Sequence, residues 1–293
     1  MNRRLNDLFA SRLMLGVTIF ACLIVFLITL VLFQKAGLIL TTDSLSELIS
    51  SAWNPWNRQF GFYPFIVGTI WVTGLAMILS IPVSLLCAIY LAEYASNKVR
   101  VILKPLIDLL AGIPSVIYGI WGVLVVVPFV RDYLAPLAGA TTTGYSILAG
   151  GIVLAIMVFP IIISVSEEVL RTVSFEIREA SFALGATRWQ TVKHAVIQKS
   201  FPGLVAAIIL GFSRAFGETM AVLMVVGNVA RVPSTIFDSG YTLPALIANS
   251  YGEMMSIPLY DSALMLAALI LLLVVFIFNI TARLIMTKIV KRS

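Results

Sequence analysis

Two charged residues, Arg214 and Glu218, lie inside a mostly apolar run of the chain that extends from Phe201 to Val226. Because they are four residues apart, a continuous helix would place them on one face. A charge inside a membrane is costly, so we expect both to face water or the interior of a helix bundle. A guanidinium stays ionised and presents a planar fork of N–H donors, which suits the oxygens of phosphate. We interpret Arg214 as a fixed positive charge on the path of an anion; the alternative is that the two charges only pair with each other and hold the bundle together.

The role of Glu218 is less direct, because a carboxylate repels an anion. It could hold Arg214 in position until a substrate displaces it. It could instead accept a hydrogen bond from a protonated oxyanion, which would favour hydrogen phosphate over sulfate. Thr219, the next residue, is assigned to the same substrate path.

A third candidate is Ser115, which follows a break in an earlier apolar run, Gly112-Ile113-Pro114. Proline in a spanning helix frees a backbone carbonyl, which neighbouring helices or a wet cavity must satisfy. We predict that this break lies near the translocation path and that Ser115 is available there to donate a hydrogen bond.

A polar segment interrupts the apolar sequence between residues 167 and 200. At helical spacing it carries an apolar stripe, formed by Phe175, Phe182, Ala186, Trp189 and Val192. Gly185 stands where a helix could turn or where another backbone could approach closely. The pattern is typical of a helix that docks on a soluble partner, or of one that lies on a membrane surface.

Composition identifies the environment of these segments. The 293 residues are 60% apolar and only 12% charged, where a soluble domain has about 25%, and the mean hydropathy is +1.03. About 20 apolar residues span the hydrocarbon core of a bilayer, and six runs are candidates: 13–33, 65–91, 105–130, 145–166, 201–226 and 262–285. We predict an all-α, polytopic membrane protein with six transmembrane helices. The aromatic residues between Trp53 and Tyr63 are expected to anchor it at the membrane–water boundary.

The basic residues predict its orientation, since cytoplasmic loops are enriched in Lys and Arg. Fifteen of the 20 basic residues lie on the side of the two termini, four lie on the other side, and Arg214 lies within the fifth span. Both termini and the segment 167–200 are therefore expected to face the cytoplasm. The same asymmetry accounts for the net charge of +6, so no nucleic-acid partner is needed to explain it.

The chain holds few residues that could support ATP hydrolysis, a histidine metal site or a catalytic triad. The sequence holds no Gly-x-x-x-x-Gly-Lys-[Ser/Thr] motif for ATP hydrolysis. His194 is the only histidine, which leaves little for a histidine metal site or a Ser/His triad. We expect no catalytic residue, no metal site and no cofactor bound by this chain.

The segment Glu179-Ala180-Ser181, followed after three residues by Gly185-Ala186 and then by an apolar helix, resembles the EAA loop of ABC importer permeases. The resemblance implies the type I permease fold of these importers. It also implies that Glu179, Ala180, Ser181, Gly185 and Ala186 belong to a coupling helix, within 175–200, that docks into a groove of a cytoplasmic ATPase. Residues 167–200 are called the EAA-like loop below.

The segment Gly211–Val222, with Val226-Gly227-Asn228 after it, resembles phosphate-specific transport permeases of the PstC type. Agreement extends over about residues 53–280 and includes Asn57–Gly61, Leu91–Tyr94 and Ala111–Gly119. The sister permease, of the PstA type, shares the Arg-Ala-x-Gly-Glu core but usually lacks the Met-Ala-Val that stands here at 220–222.

This resemblance implies one permease subunit of an ATP-driven, high-affinity inorganic phosphate importer in a bacterial or archaeal inner membrane. The implied partners are a sister permease (PstA type), an ATPase dimer (PstB type) that carries ATP and Mg²⁺, and an extracytoplasmic phosphate-binding protein (PstS type). The expected division is a first helix and extracytoplasmic loop (1–64), a permease core (65–287) and a basic tail (288–293). The alternatives are the sister subunit, a permease for another oxyanion, and an ion channel or intramembrane enzyme that works without ATP.

Overall fold

Apolar helices make up most of the structure, a computed structural model that describes residues 2–42, 44–252 and 258–290. A two-stranded antiparallel hairpin pairs β1 (Trp53–Asn54) with β2 (Gln59–Phe60). The helices are α1 (Asn2–Thr42), α2 (Leu45–Leu48), α3 (Tyr63–Tyr94), α4 (Asn97–Gly112), α5 (Ser115–Leu137), α6 (Ile147–Arg171), α7 (Phe175–Ala183), α8 (Arg188–Phe216), α9 (Met220–Val225), α10 (Leu243–Ser250) and α11 (Pro258–Val290).

Six of these helices, α1, α3, α5, α6, α8 and α11, are long and apolar enough to cross a membrane. They confirm the predicted number of spans. Several continue beyond the predicted bounds, because helical hydrogen bonding does not stop where the apolar run stops. Of the predicted basic tail, residues 291–293 lie outside the described part of the chain, and α11 extends to Val290.

The central contact of the bundle is between α3 and α6, and α8 packs on both of them. Small residues let the backbones approach, as is usual between membrane helices. A Cβ on Gly151 of α6 would lie 2.7 Å from Leu75 Cδ2 of α3, so any larger residue would require Leu75 to shift. The helix α1 packs along α11 at the periphery.

The aromatic segment 53–63 differs from its prediction. Trp53 packs edge-on against Phe60, Phe62 and Phe65, and Tyr241 and Tyr260 complete the cluster. Phe62 and Phe65 are fully buried. Only Trp56 and Tyr63 are largely exposed, as boundary anchors would be. Most of these rings therefore form a core at one end of the bundle, because rings from three segments of the chain meet there and exclude solvent.

The third span also differs, since it was predicted to begin at residue 105. The chain instead forms a separate amphipathic helix, α4, and the span α5 starts at Ser115. Ile113 is extended (φ −68°, ψ 130°), because the ring of Pro114 disfavours helical geometry in the preceding residue. The break predicted at 112–115 is confirmed, and it separates two elements.

Candidate functional site

The fifth span does not continue to Val226 as predicted. The helix α8 ends at Phe216, and Gly217, Glu218 and Thr219 connect it to the short helix α9. The helix ends here because Gly217 is a poor helix former. The Glu218 side chain also provides a hydrogen-bond acceptor for the backbone that follows it. Its Oε1 accepts a hydrogen bond from the Ala221 amide at 3.2 Å.

Because of this interruption, Arg214 and Glu218 do not share one helical face, and that prediction is wrong. Arg214 is exposed on the last turn of α8, whereas Glu218 is 8% exposed. No ion pair joins the two side chains, and neither forms one with any other residue of the described ranges. This geometry does not support the alternative in which Arg214 and Glu218 only pair with each other.

Glu218 borders a small cavity between α3, α6, α8 and the loop before α10. The cavity measures about 10 Å³, which is room for about one water. Its other polar lining residues, apart from Glu218, are Thr69, Thr73 and Thr242. Thr69 and Thr73 are one turn apart on α3, and both are buried. Sequence reasoning missed these threonines, although two polar residues at helical spacing inside an apolar span were a usable signal.

The Thr69 hydroxyl joins α3 to α10. It donates to the Phe65 carbonyl at 2.7 Å and accepts from the Leu243 amide at 2.9 Å. Close packing supports this contact, since a Cβ on the neighbouring Gly68 would lie 2.3 Å from the Tyr241 carbonyl oxygen. The cavity around Glu218 is therefore held by α3 on one side and by the 227–242 loop and α10 on the other.

The other two predicted path residues lie on adjoining elements. Thr219 is half-buried, and its hydroxyl donates weakly to the Gly217 carbonyl at 3.4 Å. Ser115 is half-buried and is the first residue of α5. The helix α5 packs directly on α9, where Gly119 leaves space for Met224 and Ala221. The fold thus packs α5, which begins at Ser115, against α9, the helix that follows Glu218.

The loop after α9 returns to cap α6. The amides of Ile147 and Leu148 donate to the carbonyls of Asp238 and Ile236 at 3.0 and 2.8 Å. Asp238 stabilises this loop by accepting from the amides of Thr235 and Ser234 at 2.9 and 2.8 Å. These hydrogen bonds, with that to Thr235 foremost, hold the pKa of Asp238 below its ordinary value of 3.8, and the charge of Arg231 acts in the same direction.

The EAA-like loop folds as two arms around a turn. The first arm is α7, and the second is the start of α8, which Thr187 and Gln190 cap reciprocally. Gly185 has a φ of +80° and no heavy atom near its missing Cβ, which confirms the predicted turn. Ser181 and Thr191 join the arms through their hydroxyls at 2.9 Å. Glu179, Ala180 and Gly185 are exposed, and Ala186 is half-buried.

The single apolar stripe predicted for this loop is divided by the turn. Val192 is buried (1% exposed), because its side of the loop packs on the bundle. Phe175, Phe182 and Trp189 are exposed, and so is Leu184 at the turn. The tip of the loop therefore presents large apolar side chains that the rest of the chain does not cover.

Six spans, an interrupted charged span and a two-armed apolar loop between the fourth and fifth spans define a polytopic membrane permease. A family model described as "binding-protein-dependent transport system inner membrane component" matches residues 80–292. The chain belongs to this family of ABC transporter permeases.

Named relatives cover most of the chain. A probable ABC transporter permease, YqgH of Bacillus subtilis, is 39% identical over 80% of this chain and 75% of its own length. The phosphate transport system permease PstC of Xylella fastidiosa (strain Temecula1) is 37% identical over 87% of this chain and 82% of its own. A probable PstC of Methanocaldococcus jannaschii is 33% identical, covering 80% of this chain and 78% of its own.

The fold has a counterpart among solved structures. A chain of the inward-facing MetNI methionine ABC transporter superposes with a TM-score of 0.56 at 18% identity. The match covers 78% of this chain and 94% of that one. It confirms the predicted type I ABC importer permease fold.

Proposed function

We propose that this chain is a transmembrane permease subunit of an ATP-driven, high-affinity inorganic phosphate importer and forms half of its translocation pathway. The observation that carries the proposal is the similarity to relatives named PstC over four-fifths or more of the chain. The geometry supports it with an exposed arginine on the last turn of a spanning helix, without an ion-pair partner in the described ranges. A fixed, unneutralised guanidinium suits the oxygens of phosphate.

The proposal includes partners for the two ends of the molecule. The apolar tip of the EAA-like loop, with Glu179, Ala180, Ser181, Gly185 and Ala186, docks on an ATPase dimer of the PstB type, which binds ATP and Mg²⁺. A sister permease of the PstA type supplies the other half of the pathway. A phosphate-binding protein of the PstS type docks on the extracytoplasmic loops, and both termini face the cytoplasm, as the distribution of Lys and Arg indicates.

Within this proposal Arg214 attracts the anion, and Glu218 recognises its proton. The separation of the two side chains favours the second of the two roles weighed for Glu218, because an acid that does not pair with Arg214 cannot hold it in place. A buried carboxylate without a cationic partner is costly, so a role in transport accounts for its presence. Ser115 and Thr219 provide hydroxyl groups on the adjoining elements.

The test is uptake of labelled phosphate by the reconstituted complex, with sulfate as competitor. Wild type is expected to import phosphate in the presence of ATP and to resist sulfate. Arg214→Ala should lose at least about tenfold in uptake, because a charge-assisted hydrogen bond is worth about 1.5–3 kcal/mol. Lys35→Ala removes an exposed charge that lies 3.9 Å from Asp261 and should keep the wild-type rate. Wild-type uptake by Arg214→Ala would contradict the pathway assignment, and uptake insensitive to ATP depletion would favour a channel.

A further inference from the structure

Arg178, on the first arm of the EAA-like loop, uses all its N–H donors inside the protein. Its Nε and Nη2 donate to the two carboxylate oxygens of Glu93 at 3.3 and 2.6 Å. Nη2 also donates to the Leu170 carbonyl at 3.1 Å, and Nη1 donates to the carbonyls of Val173 and Ser174. The side chains of Arg178 and Glu93 are only 14% and 9% exposed. One guanidinium thus joins α7 to the ends of α3 and α6 and to the segment between α6 and α7.

The second arm of the loop holds the same turn of α3. Arg188, the first residue of α8, donates to the Glu93 carbonyl, and its guanidinium carbon lies 4.7 Å from the centre of the Tyr94 ring. The last turn of α3, Tyr90–Tyr94, is π-helical. Carbonyls at the end of a helix lack partners within it and favour cations, which is why arginines from both arms can attach here.

These attachments border a basic cavity. A cavity of about 430 Å³ beside the loop is lined by Arg100, Arg171, Arg178 and Arg188. Arg100 donates to the carbonyls of Leu91 and Ala92, and Arg171 pairs with Glu167 at 3.3 Å. The lining is basic, but all the donors of Arg178 and most of those of Arg100 are committed to backbone and carboxylate oxygens. The contacts of Arg178 with Glu93 and with the carbonyls of Leu170, Val173 and Ser174 hold α7 against α3 and α6. We call this set of contacts the joint.

The joint is connected to the candidate pathway through α3. This helix extends from Glu93 back to Thr73 and Thr69 at the Glu218 cavity. At 1.5 Å per residue these lie about 30 Å and about 36 Å from Glu93. Beneath the joint, Ala88 of α3, Leu170 of α6 and Val196 of α8 form one buried cluster. A displacement of α7 therefore reaches α3 directly, besides reaching α8 along the chain.

We propose that the Arg178–Glu93 pair is the positioning contact that makes α3 follow the EAA-like loop when a partner ATPase moves it. This inference rests on the proposed function, because it needs an ATPase that acts on the loop. Arg178 touches no substrate; it acts by holding two elements in register. Lysine would keep the charge but could not make the bidentate contact and the carbonyl contacts together.

The experiment measures phosphate imported per ATP hydrolysed, in proteoliposomes that contain the full complex and the binding protein. The variants are Glu93→Gln and Arg178→Lys, which preserve size or charge and change only the joint. Both are expected to assemble, to hydrolyse ATP within about twofold of wild type and to import at least about fivefold less phosphate per ATP. The matched control is Lys104→Ala, which breaks a 3.5 Å ion pair with Glu167 between α4 and α6 and leaves Arg178, Glu93 and both arms of the loop unchanged. Its ratio of phosphate imported to ATP hydrolysed should equal that of wild type.

The outcomes separate this inference from the proposed function. A wild-type ratio in both joint variants would overturn the inference. A parallel fall of import and hydrolysis, or loss of the ATPase on gel filtration, would also overturn it, because that result indicates a merely structural role. If the proposed function is wrong, the wild-type complex itself will show no ATP-driven phosphate uptake.

Discussion

Replacing Glu218 separates its structural role from its role in transport. The carboxylate accepts one hydrogen bond, from the Ala221 amide at 3.2 Å, and thereby caps α9. In Glu218→Gln the amide oxygen can accept the same bond, so the free energy of unfolding should stay within about 0.5 kcal/mol of wild type. In Glu218→Ala the acceptor is gone, and loss of such a cap costs about 0.5–2 kcal/mol. For a chain of this size that is a fall in melting temperature of about 2–4 °C per kcal/mol.

Transport should respond differently from stability. If the carboxylate accepts a hydrogen bond from the protonated oxyanion, its loss removes an interaction of about 1.5–3 kcal/mol. Phosphate uptake by Glu218→Gln should then fall at least about tenfold while its melting temperature stays at the wild-type value. The assays are labelled-phosphate uptake in proteoliposomes and thermal unfolding of the purified complex. The matched control is Glu168→Gln, an exposed carboxylate on α6 that lies outside both arms of the EAA-like loop; it should change neither quantity.

One result would refute this reasoning. Wild-type uptake by Glu218→Gln, together with a lower melting temperature for Glu218→Ala, would show that Glu218 only caps α9. The burial of the carboxylate would then be a consequence of helix capping, and Arg214 would be the one charged residue left on the proposed path.

Three further predictions concern other parts of the chain. In a chain whose exposed Cys22 and Cys87 have been replaced, Ser115→Cys should react with a water-soluble thiol reagent in at least one transport state. Complete protection in every state would count against a place for Ser115 on the path. Gly185→Ala should lower phosphate-coupled ATP hydrolysis, because alanine at a φ of +80° costs about 1–2 kcal/mol; unchanged hydrolysis would show that the turn tolerates the strain. The loop held by Asp238 should be stable above its ordinary pKa of 3.8 and should loosen as the pH falls below that value, because a depressed carboxyl pKa contributes stability only while the group is ionised. Protection of the amides of residues 147 and 148 against hydrogen exchange, taken relative to the intrinsic rate at each pH, should therefore fall at low pH in wild type. Asp238→Asn should already show the lower protection at neutral pH.

Local features of the sequence were sufficient for much of the fold. Six apolar runs predicted the six spans, because a helix satisfies all its backbone groups within one segment. Pro114 marked a true break, and Gly185 marked a true turn, because both act on the backbone of their own neighbourhood. The same local reasoning failed at Gly217, where a continuous helix was expected.

The predictions that failed depend on distant partners. The rings of Trp53 and Phe62 were assigned to the membrane boundary, but Trp53 packs on Phe62 and Phe65, and Phe62 is fully buried. Cys22 and Cys87 lie inside apolar runs and are nevertheless exposed, because an apolar run does not reveal which of its faces meets another helix.

The sequence by itself determined the class of molecule, the number of spans and the turn at Gly185 in the EAA-like loop. Each of these depends on residue type and spacing within one segment. Only the tertiary structure decided that Glu218 lies with Thr69 and Thr73, apart from Arg214, and that Arg178 reaches Glu93 across 85 positions of the chain. The physical reason is that a buried polar group must find a partner, and packing decides which distant segment provides it.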